Sequence, residues 1–344
     1  MRTIFLCGHN SPYGLAHLNP ILRFFDVAAV VVATDKRWAD FRQKLVGQRF
    51  LYRTPSFTAV DEIIGVARSA GGKLAGWFQK DKGLSSICRH AGIPVWVAED
   101  VNDPEFALRM SECAPDVILS AAYPQMFSRE LLETAHRGGI NFHPALLPRN
   151  RGAHPHYWAI AKGDAEGGVT AHLMTERLDA GPIVAQIRFP ISTMYYSEYC
   201  RAIIEYTPAL ICEVESNLAN GTAPIPQMGD GSFNYNDREI DHCVSWCLMH
   251  ARAIHNLIRT ETAFCTYRDR LVRIHRAEFL SSNRNTANRA IVAPGTIVDI
   301  DGSHIVVAAE GGYVGISSLS DGGCSLPFGR WVARHRARIG ERFS

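Results

Sequence analysis

The feature that most limits the possible folds is an alternation, through the first half of the chain, of short apolar β-rich runs with stretches of helical period. Residues 3–7 and 28–33 are such runs, and residues 15–25 carry a helical pattern between them, which makes a β-α-β opening. The alternation continues with expected strands at 95–98, 116–120 and 140–143, and with helices at 105–114 and 128–135. Elements in this order build a mostly parallel, doubly wound α/β sheet with helices on its faces. A helix at 153–161, strands at 168–174 and 183–189, and a long helix at 198–219 complete the expected first domain, residues 1–220.

Proline and glycine then cluster over residues 221–231, which are expected to be a linker. Residues 232–344 read as a second, β-rich domain. A helix at 240–259 is followed by short strands at 271–280, 294–300, 304–309 and 313–319 with glycine-bearing turns, a spacing that suggests a small barrel. Two domains suit 344 residues.

With 47% hydrophobic and 20% charged residues, and without repeats or heptads, the chain has the composition of a globular enzyme. The apolar run at 3–7 breaks at Gly8 and is expected to be a buried strand, not a signal sequence. No apolar stretch approaches the roughly 18 to 20 residues of a membrane span, so the expected location is cytoplasmic. Nine scattered cysteines are expected to be free thiols, and Cys243 and Cys247 do not form a Cys-x-x-Cys pair. A net charge of +2 is too small to argue for nucleic acid across the whole chain.

Chemistry concentrates around Asn141 and His143. Residues i and i+2 of a strand share a face, so this carboxamide and imidazole can converge on one small volume, with Asp179 arriving from the later turn Leu178-Asp-Ala-Gly181. An Asn-x-His at a strand end is by itself ordinarily local hydrogen bonding, and the later turn by itself is an Asx-type turn. What changes the reading is the company: Asn141-Phe-His143-Pro with Leu-Leu-Pro148, then Arg151-Gly152, Trp158-Ala-Ile160, Gly163-Asp164, Gly168-Val-Thr170 and Leu178-Asp-Ala-Gly181. This ordered set resembles the folate-dependent formyltransferases, the family of methionyl-tRNA formyltransferase, glycinamide ribonucleotide transformylase and the amino-sugar N-formyltransferases. The resemblance continues through Ile240-Asp241, Leu257-Ile-Arg259, Arg273-Ile274-His-Arg-Ala277 and Pro294-Gly-Thr-Ile297. It implies a Rossmann-like formyltransferase core followed by an OB-like subdomain, which glycinamide ribonucleotide transformylase lacks.

The resemblance implies 10-formyltetrahydrofolate as co-substrate, with no metal. An amine attacks the formyl carbon, so the site needs an oxyanion donor, a proton acceptor and a proton donor to the leaving nitrogen. Asn141 suits the first task, His143 the two proton transfers, and Asp179 the orientation and charge stabilisation of the imidazole. The loop with Tyr123, Gln125, Met126 and Phe127 follows an expected strand, where ligands of such sheets bind. The resemblance implies that this loop and the segment with Thr175, Glu176 and Leu178 meet the pterin. Gly8 to Gly14 is not a Gly-x-Gly-x-x-Gly fingerprint, so no nicotinamide cofactor is indicated.

His154-Pro-His156 lacks further ligands at a zinc-like spacing, and His154, Tyr157 and Arg151 are expected to line the acceptor pocket. Arg149 and Arg151 are by default solvated loop charges. Arg149-Asn-Arg-Gly-Ala-His-Pro-His-Tyr-Trp158 looks more like the amino-sugar enzymes than the tRNA enzymes. Against this, residues 35–89 set eleven Lys/Arg against five Asp/Glu, interleaved with Trp38, Phe41, Tyr52, Phe57 and Trp77. Such a stretch can bind nucleic acid, a sugar nucleotide, or only water. The tail with Arg330, Arg334, Arg336, Arg338 and Arg342 is equally open. The expectation is an N-formyltransferase for a small primary amine, a nucleotide-linked amino sugar or a natural-product amine, in a possible homodimer. The alternatives are methionyl-tRNA formylation, hydroxylamine formylation in siderophore synthesis, formyltetrahydrofolate hydrolysis, or a folate-binding sensor without turnover.

Overall fold

The computed structural model describes residues 1–8, 11–34, 83–281, 292–321 and 325–344. The basic aromatic segment therefore lies outside the described residues for all but its last few positions. Two compact units emerge. The first comprises Met1–His156, Glu166–Pro190 and Cys200–Asp237, and the second Tyr157–Ala165, Ile191–Tyr199 and Arg238–Ser344.

The first unit is built on a seven-stranded sheet. Its strands are β1 (Arg2–Cys7), β2 (Asp26–Ala33), β3 (Val95–Ala98), β4 (Val117–Ala121), β5 (Gly139–His143), β7 (Glu166–Leu173) and β8 (Ile183–Pro190), in the order β3-β2-β1-β4-β5-β7-β8. The pairings from β3 to β5 are parallel, whereas β5–β7 and β7–β8 are antiparallel. Ile4, Phe5, Leu6 and Cys7 are all buried, as are all five residues of β4, which is the signature of strands covered on both faces. The chain winds outward from β1 through β2 to β3, then returns to β4 and β5 on the other side. That reversal puts the carboxyl ends of β1 and β4 at the topological switch, beside the end of β5 that carries Asn141 and His143.

The helix expected at 15–25 runs Pro12–Phe24 and starts earlier for local reasons: Ser11 accepts from the Gly14 N–H and proline occupies the first turn. The expected helix at 128–135 is a single turn, Arg129–Leu132, begun by the Ser128 side chain. Residues 221–237 are not a free linker and a domain start. Ile225 pairs with Ile183 in both directions, and β9 (Phe233–Asn234) pairs in parallel with β6 (Arg151–Gly152), so the whole segment is part of the first unit. Their hydrogen bonds outweigh the local composition of proline and glycine.

The second unit holds an antiparallel sheet of six strands, β10 (Phe264–Tyr267), β11 (Arg270–Ser281), β12 (Ile297–Ile300), β13 (Ile305–Ala309), β14 (Gly312–Ser320) and β15 (Leu326–Pro327). The order is β10-β11-β14-β13-β12, with β15 on β14. The single helix expected at 240–259 is broken into a turn of 3-10 helix, Glu239–His242, and the helix Ala251–Arg259. His250 stops propagation between them by adopting extended backbone and turning its ring to the Arg252 N–H. Cys243 caps the first turn in extended backbone and bridges to Phe264. The helix Ala251–Arg259 buries Ala251, Ile254, Leu257 and Ile258, the spacing of one apolar face, in a core with Trp246, Val272, Ile316, Trp331 and Phe343. Arg259 is also buried, and its guanidinium donates to the carbonyls of Ile191 (2.5 Å) and Met194 (3.0 Å) and to Asn256 Oδ1 (3.1 Å). These bonds anchor the stretch Ile191–Tyr199 within its unit and satisfy a charge that burial would otherwise make expensive. Among the described residues no helix is long and apolar enough to cross a membrane.

One buried group makes the first unit sensitive to acid. His17 is fully buried, lies against the rings of Tyr13 and Phe142, and is pushed down to about 4 by burial, partly opposed by its bond to the Tyr13 carbonyl. The unfolded chain binds the proton first, so stability present above about pH 6.5 is lost as the pH falls toward 4. From about pH 7 to about pH 5 the loss is about 2 kcal/mol from this residue. His17→Leu is expected to flatten that part of the pH dependence of thermal unfolding; parallel curves for variant and wild type would refute the assignment.

Candidate active site

Strand β5 delivers Asn141 and His143 to one face, and β7 delivers their cross-strand partners. Antiparallel pairing sets Asn141 opposite His172 and His143 opposite Thr170. Thr170 is buried, donates to the Ala145 carbonyl (2.7 Å) and accepts from the Leu147 N–H (3.3 Å) and the Gln186 amide (2.8 Å), which fixes the chain leaving β5. Asp179 arrives on the turn after β7 with a left-handed backbone, φ +52°. The glycines in the two motifs have defined jobs. A Cβ on Gly181 would stand 1.9 Å from the Leu173 carbonyl oxygen, and one on Gly152 would stand 2.3 Å from that of Asn234, at φ +87°.

Around the Asp179 carboxylate four groups converge. Gly152 donates its backbone N–H to Oδ2 (2.9 Å), and His143 Nδ1 lies 3.5 Å from the same oxygen. His172 Nε2 lies 3.3 Å from Oδ1, and the Asn141 amide nitrogen lies 3.4 Å from Oδ1 and from His172 Nε2. His143, His172 and Asp179 are buried, and Asn141 is half-buried. Burial alone would raise the carboxyl, but His143, the bond to His172 and the Gly152 N–H hold it well below the usual carboxylate range. Burial lowers His143, against the pull of Asp179 and the Asn150 carbonyl.

The partners also fix which nitrogens carry protons. His143 Nε2 is 2.9 Å from the Asn150 carbonyl and His172 Nδ1 is 2.9 Å from the Leu173 carbonyl. A carbonyl only accepts, so both of these nitrogens are N–H donors. In each ring the other nitrogen faces Asp179, and at His143 it is the one free to take up a proton.

The structure thus brings Asn141, His143 and Asp179 together, and adds His172. Its signal was present in the sequence, since Thr170 and His172 repeat the i, i+2 spacing on the adjacent strand. Beyond Gly152, His154 Nε2 lies 3.4 Å from Oδ1 of the buried Asp237, a second imidazole–carboxylate pair in the same unit. His156 is pushed down to about 3 by burial and by His154 and His143. Among the described residues no group of three or more His, Cys, Asp or Glu could hold a metal ion.

Two of the residues expected at the acceptor have partners within the protein. Tyr157 is buried in the core of the second unit with its hydroxyl on the Asp241 carbonyl (2.9 Å). Arg151 turns to Gln227 Oε1, at 2.6 and 3.0 Å. Of the expected pterin contacts, Tyr123 packs in the first unit's core and against Phe127 at 5.6 Å between ring centroids. Gln125 stitches its loop to Asp100 and to the Val101 N–H. Thr175 donates to the Arg177 carbonyl (3.1 Å), and Glu176 is exposed. Met126, 55% exposed, and Leu178, 44% exposed, present apolar side chains outward.

A family model described as formyl transferase matches residues 66–206, and one described as formyl transferase, C-terminal domain, matches residues 238–336. The chain belongs to the formyltransferase family. Among solved structures it is similar to an N-formyltransferase from Helicobacter canadensis in complex with folinic acid and dTDP-3-aminofucose, at 15% identity over 92% of this chain and 98% of that one, with a TM-score of 0.59. It is similar also to WlaRD, a sugar 3N-formyl transferase in the presence of dTDP and 5-N-formyl-THF, at 15% identity over 92% and 97%, with a TM-score of 0.58. Against HypX from Aquifex aeolicus in complex with tetrahydrofolic acid, the match covers 74% of this chain and 44% of that one, at 20% identity and a TM-score of 0.49. This formyltransferase therefore spans less than half the length of HypX, and at these identities the likeness is one of fold.

Two measurements check the site. Asp179 favours the charged imidazole at His143, so Asp179→Asn is expected to lower the His143 midpoint in an NMR pH titration, and an unchanged midpoint would break the coupling. Gly181→Ala is expected to lower the thermal unfolding midpoint by several degrees, on the order of a 1–3 kcal/mol loss from overpacking; wild-type stability would mean the turn tolerates a Cβ.

Proposed function

We propose that this formyltransferase moves the formyl group of 10-formyltetrahydrofolate to a primary amine of a small acceptor, a nucleotide-linked amino sugar or a natural-product amine, in the cytoplasm. The observation that carries the reading is the convergence of Asn141 and His143 on an ionised, buried Asp179. Outward-facing Met126 and Leu178 suit the flat heteroaromatic end of a folate. The antiparallel second unit fits the OB-like subdomain that the resemblance implies.

The chemistry follows from the hydrogen-bond inventory. As the acceptor nitrogen bonds to the formyl carbon, the carbonyl electron pair moves onto oxygen. The Asn141 carboxamide has two N–H groups, and one turned away from Asp179 can donate to that oxyanion, a contact typically worth about 10² to 10³ in rate. His143 Nδ1 accepts the proton that the amine gives up, and Asp179 stabilises the resulting imidazolium from 3.5 Å. When the carbonyl re-forms and the bond to the folate nitrogen breaks, His143 returns the proton to that nitrogen. A formamide and tetrahydrofolate leave, and the enzyme is unchanged.

The nucleotide-linked acceptor is supported by an exposed aromatic pair on the β9 segment. Phe233, 47% exposed, and Tyr235, 78% exposed, sit 5.3 Å apart at 68°. The Phe233 ring borders Gly152, whose N–H holds Asp179. Exposed rings contiguous with a reaction centre suit a stacked base, and the two solved structures of like fold were obtained with dTDP or a dTDP-sugar.

The test is incubation with 10-formyltetrahydrofolate and separate pools of nucleotide-linked amino sugars, free amines and methionyl-tRNA, following tetrahydrofolate release and the gain of one formyl mass. A formylated small molecule is the expected result; formylated tRNA, or folate turnover with no acceptor, would replace this reading. His143→Ala and Asn141→Ala are each expected to lower kcat by about 10²-fold or more, with folate binding within about tenfold. Full activity in both would remove the catalytic assignment. Because His143 is depressed, the acid limb of kcat/KM is expected below the ordinary histidine value, with activity rising with pH through it.

A further inference from the structure

We infer that Gln227 is a positioning residue for the reaction, and that its side-chain amide clamps the backbone on both sides of the turn so that the Asp179 carboxylate stays aimed at His143. The inference rests on the formyl-transfer reading for its kinetic meaning, and on geometry for everything else.

Gln227 Nε2 donates to the Asp179 carbonyl (2.9 Å) and to the Gly181 carbonyl (2.7 Å). Its Oε1 accepts from Arg151 Nε (3.0 Å) and Nη2 (2.6 Å). Both amide hydrogens and both oxygen lone pairs are therefore used. The orientation of the amide is also unique, because a guanidinium only donates and a carbonyl only accepts; flipping it would face like with like on both sides.

The clamp closes a loop around one residue. Arg151 and Gly152 are neighbours in β6: the first orients Gln227, and the second donates its N–H to the Asp179 carboxylate. Gln227 then fixes the carbonyls of Asp179 and Gly181, the backbone of a turn that needs a left-handed non-glycine residue and a glycine with no room for a Cβ. Such a conformation persists where its surroundings over-determine it. The segment that carries Gln227 also supplies Ser232 to the Asn150 N–H and Asn234 to Asn150 Oδ1, and the Asn150 carbonyl holds His143. Residues 227–234 thus hold both partners of the acid–base pair.

A side chain that merely stitched loops would affect stability alone, so the test reads His143. The titratable groups set against that ring are Asp179 on its turn, His172 on β7 and His156 on the helix Pro155–Ala161. Gln227→Met keeps the length and removes every hydrogen bond without changing charge. The NMR titration midpoint of His143 is expected to fall by about half a pH unit or more, toward that of Asp179→Asn. With an acceptor from the pool assay, kcat is expected to fall about tenfold while the acceptor KM stays within about threefold. A wild-type His143 midpoint in a folded Gln227→Met protein overturns the proposal, even if its unfolding temperature drops. If that variant does not fold, Arg151→Lys keeps the charge and breaks the fork on Gln227; it is expected to shift His143 in the same direction, and a wild-type midpoint there overturns the proposal too. The titration needs no turnover, so failure of the formyl-transfer assay would leave this result standing and the two failures are distinguishable.

Discussion

A carboxylate kept ionised in a buried place sets the terms for the first unit, because a charge removed from water must be met by several well-placed donors. Asp179 is met by a backbone N–H and a carboxamide, and is flanked by two imidazoles whose other nitrogens are committed to carbonyls. These partners come from separate elements. β5 brings Asn141 and His143, β7 brings His172, and β6 brings Gly152. The antiparallel attachment of β7 to the parallel part of the sheet is what places the second imidazole directly opposite the carboxamide.

The charge also explains an asymmetry between two acid–base residues that look alike in sequence. His143 and His172 both flank Asp179, but the loop from Pro144 to Asn150 folds back over His143 and offers it a carbonyl, whereas His172 turns to the carbonyl next to it in its own strand. Both rings keep their remaining nitrogen toward the same carboxylate.

How much of this could be read from the residues depended on range. The strand at Asn141 and His143 was legible because a period of two is local, and the partner turn because its glycine has no substitute where the Leu173 carbonyl approaches so closely. His172 followed the same period one strand later, but its importance depends on a pairing register that sequence spacing does not reveal. Gln227 was hidden by composition: the prolines and glycines around it suggest a linker, and only long-range hydrogen bonds to Arg151, Asp179 and Gly181 show otherwise. The motif around Tyr157 and Arg151 does not reveal their partners within the protein, the Asp241 carbonyl and Gln227. The helix expected at 240–259 failed for a local reason, since His250 offers its ring as a cap and thereby starts a new helix.

The division of the chain has a bearing on how such a protein could be assembled or recombined. The second unit is not a tail added after the first, because Tyr157–Ala165 and Ile191–Tyr199 belong to it although they interrupt the first unit's sequence. Trp158, Ala161 and Tyr196 pack on its core, and the Arg259 guanidinium holds the second of these inserts by two carbonyls. A single cut after Asp237 would part Trp158, Ala161 and Tyr196 from the core they pack on. The second unit therefore does not begin at one position in the sequence, and exchanging all of it between relatives requires three coordinated replacements and not a single joint.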